Sequence, residues 1–190
     1  MELIDNARKL AVPHFAVNGD AFYGHSSEFR SGLRERHEPY VLGIMPLSIG
    51  VIPARTRLLG PQDFPAVNGH PRTTYHLPFK VKSLNAIEVA KRIPKKDWKD
   101  INWTEEDEAL HGLYAMRKVR IIKHGRQCTD EICWLLLEKR DNDELKAYLC
   151  WGFEKPSLVL FAKSCYMKVA RLSKGARRGH RHPLNPVGGQ

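Results

Sequence analysis

The chain has 190 residues and carries 31 Lys and Arg against 21 Asp and Glu, for a net charge of +10 at pH 7. That balance excludes an acidic solvating tail protein and most disordered polyanion binders, while 42% hydrophobic residues and four Trp suffice for one compact core. The longest apolar runs, such as Ile132 to Leu137, are strand-sized, far short of the ~20 residues a membrane-spanning helix needs, so no membrane role is expected.

The first ten residues include Glu2, Asp5, Arg8 and Lys9 and have no apolar stretch, which reads against a secretory signal and predicts a cytoplasmic protein. Leu3, Ile4, Ala7, Leu10 and Ala11 recur at helical spacing, and Pro13 stops that helix. His14 to Asn18 reads as a short buried strand, and Gly19 to Gly24 as a glycine-bounded loop. Ser26 or Ser27 with Glu28 marks a helix start. Phe29 and Leu33 give that helix one apolar stripe as far as about His37. Pro39 to Met45 is a second buried strand, and this alternation favours a partly parallel sheet covered by helices.

From Gly50 to Phe79 the sequence is rich in Pro, Gly and Arg with only short strand candidates, and Ser83 to Ile93 reads as a helix stopped by Pro94. Three strands follow, Leu113 to Ile122, Glu131 to Glu138 and Glu144 to Trp151. Turns at His124-Gly125 and Asp141-Asn142-Asp143 separate them, so they should pair antiparallel as a β-meander. Leu158 to Leu172 fits a closing helix. From Lys163 to Gln190 there are seven basic residues and no acidic one, and from Gly175 on almost nothing apolar, so this tail is expected to be disordered and to give loose, salt-sensitive binding to polyanions.

Asp20 is the most informative position. It follows an apolar strand within a glycine-flanked loop, which places a carboxylate at the carboxyl edge of a sheet, where functional groups commonly lie. Asp is also an ordinary turn-capping residue, and that competing role stands beside the functional one.

The string Val17-Asn18-Gly19-Asp20-Ala21-Phe22-Tyr23-Gly24, followed by Glu28-Phe29-Arg30, Leu33 and Pro39-Tyr40-Val41-Leu42, resembles the second-aspartate block of insertion-sequence DDE transposases. Trp98, Trp103, Gly112-Leu113-Tyr114-Ala115, Arg117, Val119, Trp134-Leu135-Leu136 and Tyr148-Leu149 resemble the β-rich insertion that these enzymes carry before their last acidic residue. The resemblance covers about residues 1–158. It implies an α/β chain with a partial RNase H-like core at 1–46, a β-rich insertion module at 47–157, and a helix with a basic tail at 158–190.

The same resemblance implies metal-dependent cleavage and strand transfer of DNA. Three carboxylates would hold two Mg²⁺ or Mn²⁺ ions for in-line displacement at phosphorus, and hard oxygen ligands suit those ions. Asp20 would be one catalytic, metal-binding residue. The family's first aspartate would lie upstream of the helix at Met1, and its final glutamate has no counterpart, since nothing after Glu154 is acidic. One carboxylate does not hold two metals against water, so this chain is expected to be inert by itself. Back-translated with permitted codons and read one base along, Val169 to Gly179 resembles the family's glutamate helix, which suggests a frameshifted segment from about Leu158.

The implied partner is transposon-end DNA. With the first strands of such a sheet missing, an open edge should also favour self-association or a complementing fragment. Independently of the resemblance, Arg117, Lys118, Arg120, Lys123 and Arg126 form a basic β-surface able to track phosphates, although strand alternation divides them between faces. A DNA-binding or oligomerising remnant without catalysis is therefore the alternative function. Trp134 and Trp151 are expected in the core. His124, Cys128 and Cys133 have a loose zinc-like spacing but lack a fourth ligand and a close Cys pair, and the four cysteines read as free thiols. His180-Arg181-His182 reads as part of the solvated tail.

Overall fold

Among the residues described by the computed structural model (1–63, 74–105, 108–123, 126–140 and 144–165, with 103–110 as backbone alone), seven strands form one sheet. They are β1 (Val17–Gly19), β2 (Tyr40–Ile44), β3 (Gly50–Pro53), β4 (Lys99–Glu105), β5 (Glu108–Ile122), β6 (Cys128–Lys139) and β7 (Leu145–Trp151). The order is β1-β2-β7-β6-β5-β3. β4 pairs with the far end of β5, on the edge that β3 also uses. β1 and β2 run parallel, with Gly19 beside Leu42, and every other pairing is antiparallel. The helices are α1 (Glu2–Lys9), α2 (Ala21–His25), α3 (Ser27–Glu35), α4 (Ala86–Arg92) and α5 (Leu158–Ser164).

The chain is thus mixed α/β, and the expected meander is present as β5, β6 and β7. β2 pairs directly with β7, from Tyr40 beside Trp151 to Ile44 beside Ala147, so the first 46 residues and the β-rich segment share one sheet.

The apolar run in β6 is explained by cover on both faces. Cys133, Leu135 and Leu137 join Leu33, Leu42, Val89 and Leu149 in the larger core, whereas Leu136 turns the other way to meet Val41, Cys150, Phe161 and Ala162. Alternation along a strand sends successive side chains to opposite faces, so a strand buried on both sides loses the polar alternation. α4 is held by a capping box. The Asn85 side chain accepts from Glu88 N, and Glu88 returns the contact to Asn85 N.

Several boundaries differ from the sequence reading. His14 lies outside β1, because its ring sits 2.7 Å from the buried Glu38 carboxylate instead of entering the sheet. The Gly19 to Gly24 stretch is mainly helical, since Asp20 caps α2 by accepting from Phe22 N at 2.9 Å. β4 carried no signal beyond Trp103. The tail, including His180 to His182 and the segment from Val169 to Gly179, lies outside the described residues, as do the turns at His124-Gly125 and Asp141 to Asp143. Among the described residues no helix is long and apolar enough to cross a membrane.

Candidate functional site

Asp20 stands exposed immediately after β1, at the carboxyl end of the parallel pair. Two close approaches position it. A Cβ on Gly43 of β2 would meet the Asp20 carbonyl carbon at 3.4 Å, and a Cβ on Gly24 would lie 1.8 Å from the Gly43 carbonyl oxygen. Two glycines therefore let α2 lie directly on β2, and Asp20 sits where that helix begins. Its backbone is extended (φ −76°, ψ −174°), and Oδ1 accepts from Phe22 N, the ordinary geometry of an N-cap. Both sequence readings thus meet in one residue: Asp20 caps a turn, and it stands on the carboxyl rim of the sheet.

The nearby charges are organised around Glu131 of β6. Its Oε1 lies 2.7 Å from Arg30 Nε and 2.9 Å from Arg34 Nη1, and it accepts from Tyr40 OH at 3.0 Å. Burial raises the cost of the Glu131 charge, but Arg30 and Arg34 outweigh it and hold the carboxyl below its usual range. Burial, then the neighbouring Glu131, pushes the Tyr40 phenol up, so it stays a donor. Arg30 Nη1 also donates to Gly24 O at 2.5 Å, which ties this cluster to the turn behind Asp20. The cluster joins residues far apart in sequence and was not foreseen. The hint lay in Glu131 and Glu138, the two acids bracketing an apolar run.

The five basic residues do not share one surface. Arg117 Nη2 pairs with Asp97 at 2.6 Å and Nη1 donates to Met116 O. Arg120 donates to Thr129 O at 3.0 Å, while Arg126 donates to the carbonyls of Leu77 and Pro78 and lies over Phe79. Lys118 and Lys123 are exposed, with the Lys118 ammonium 5.9 Å above the Trp134 ring. Trp151 stacks on Tyr40 against the larger core and Trp134 packs against the smaller one, and both are half-buried.

Cys128 and Cys133 fall into separate core clusters. Among the described residues no three His, Cys, Asp or Glu side chains are grouped to hold a metal. All four cysteines are free, and burial pushes the Cys133, Cys150 and Cys165 thiols up.

Comparison with protein-family models, curated proteins and solved structures found no match.

Proposed function

We propose that the chain is the inner part of a DDE-type transposase with an RNase H-like sheet, an enzyme that cuts and joins transposon DNA in the cytoplasm. The observation that carries this reading is an exposed Asp20 between β1 and α2, at the carboxyl end of the one parallel strand pair among the described residues. Groups on that rim of an α/β sheet are the ones most often used for chemistry.

Asp20 fits as a single hard-oxygen donor, because the cap engages Oδ1 and a carboxylate has a second oxygen to offer. A divalent ion bound there would activate the attacking oxygen and neutralise charge at phosphorus. In this reading the other carboxylates come from a separate segment or chain, and this chain alone turns over no DNA. The protein's own contribution is to aim Asp20. The Gly43 approach to Asp20 and Ala21 seats the start of α2, the Gly24 approach to Gly43 seats its other end, and Arg30 holds the Gly24 carbonyl.

The test uses paramagnetic Mn²⁺ at substoichiometric amounts with the ¹⁵N-labelled chain. Selective broadening of the Gly19 to Tyr23 amides that disappears in Asp20→Asn is expected. Broadening elsewhere only, or Mg²⁺-dependent nicking of supercoiled DNA that survives Asp20→Asn, would remove Asp20 from the chemistry.

A second reading, a DNA-binding chain without catalysis, is favoured by the exposed Lys118 of β5 and Lys123 just after it, and by the cationic cleft described next. Salt-dependent DNA binding with no Mn²⁺ effect at Asp20 is its signature.

A further inference from the structure

β5 is flanked on one edge by β6, but its other edge is covered in two pieces. β4 pairs up to Tyr114, and β3 pairs from Val119 with Ala54 N donating to Lys118 O, so Ala115 to Arg117 face a gap between them. A cleft of about 750 Å³ opens there. Val51, Leu84, Ile93 and Val119 line it on the face of the larger core, Met116 and the half-buried Trp134 line it through the gap on the opposite face, and Arg55, Arg92, Arg117 and Lys118 supply charge. Among the described residues no acidic one lines it. Asp97 engages Arg117, whereas Arg55, Arg92 and Lys118 have no carboxylate partner among the described residues.

An apolar cavity with an aromatic wall and unpaired cations at its mouth selects a ligand with a flat apolar part and a negative charge. Plain hydrocarbon would leave the cations unused, and inorganic phosphate would leave the apolar lining wet. We propose that this cleft is a nucleotide site, with a base against Trp134 and its phosphate held by Arg55, Arg92 and Lys118. Aromatic side chains accept any base through its π-face, and guanidinium groups match phosphate oxygens in pairs. The Lys118 ammonium lies 5.9 Å from the centre of the indole ring, so a base stacking there displaces it toward the phosphate. The nucleotide can come free or as an unpaired unit of a DNA strand.

The site goes beyond the role given to Asp20 and does not depend on it. β1 and β5 are four strand spacings apart in the sheet, about 19 Å, so loss of either site leaves the other intact.

The experiment measures anisotropy of fluorescein-labelled dT5 with the full chain, using dTMP and inorganic phosphate as competitors. Binding is expected, with dTMP displacing the probe at about tenfold lower concentration than phosphate. Arg55→Ala/Arg92→Ala and Trp134→Ala should each weaken binding about tenfold or more, while Trp134→Phe, which keeps a stacking ring, stays close to wild type. Arg57→Ala, exposed and outside the lining, serves as the neutral control. Displacement by dTMP identifies a free-nucleotide site, whereas dT5 binding that only other oligonucleotides displace identifies a strand site. The proposal falls if dT5 does not bind, if phosphate competes as well as either nucleotide form, or if the Arg and Trp variants bind as wild type.

Discussion

Arg30 and Glu131 are 101 residues apart in the chain and meet twice, Nε to Oε1 at 2.7 Å and Nη2 to Oε2 at 3.1 Å. Both side chains are buried, and the pair fastens α3 to β6. A buried ion pair repays its desolvation only while both partners are present, and removing one typically costs about 3–5 kcal/mol. Glu131→Gln leaves Arg30 and Arg34 facing a neutral amide. A loss of about 3 kcal/mol in urea unfolding is expected, and a loss under 1 kcal/mol would show that water relieves the two arginines.

The same carboxylate sets the acid limit. Its folded pKa lies below the ordinary 4.5, so the unfolded chain takes up the proton first as pH falls. Stability from this cluster is fully present above about pH 4.5 and is lost as pH drops through the depressed folded value. Thermal melts between pH 6 and pH 3 should fall less steeply in Glu131→Gln than in wild type.

How much of this was legible in sequence depends on whether the determinant was local. The α3 stripe of Phe29 and Leu33 and the apolar run of β6 announce their elements, because their periods belong to the segment itself. β4 is marked only by Trp103, and Glu131 is marked only as an acid beside an apolar run, with nothing local pointing to Arg30. The strand exists by pairing with β5, the ion pair by packing between distant elements. Asp20 was legible as a rim carboxylate, but its helix was hidden because Gly24 reads as a loop residue. Its lack of a side chain serves contact with β2, not a turn. The cleft at β5 was illegible for the same reason as β4: Arg55, Arg92 and Trp134 come from three separate segments.

His14 gives a second, opposite pH dependence. Its ring nitrogens contact Val12 O at 3.0 Å and Glu38 at 2.7 Å, and first the Val12 carbonyl, then Glu38, raises its pKa above the ordinary 6.5. Stability from this contact is fully present below about pH 6.5 and is lost as pH rises through the raised value. For a partly exposed pair the effect is at most about 1 kcal/mol. Amide exchange in residues 10–16, corrected for intrinsic rates, should speed up from pH 6 to pH 8 in wild type and stay flat in His14→Gln.

Gly24→Ala tests the seat of α2. A methyl group there would lie 1.8 Å from the Gly43 carbonyl oxygen, and that neighbour is backbone, so the helix must lift. Overpacking of this kind costs about 1–3 kcal/mol and would displace the turn that carries Asp20. Gly43→Ala, whose nearest contact would be at 3.4 Å, should cost less. Equal stabilities of the two variants in urea would mean that α2 is not held against β2 at this point.

Asp20 has two roles that substitution can separate. Asn is as good an N-cap as Asp, so Asp20→Asn should keep the Phe22 contact and leave stability within about 0.5 kcal/mol of wild type. Asp20→Ala removes the cap and should cost about 1 kcal/mol. A metal ligand behaves differently, because the neutral amide of Asn lacks the charge that a divalent ion requires. Both variants should therefore lose Mn²⁺ broadening at Gly19 to Tyr23, although only one loses stability. If Asp20→Asn keeps the broadening, the carboxylate serves only to start α2, and the DNA-binding reading without catalysis takes its place.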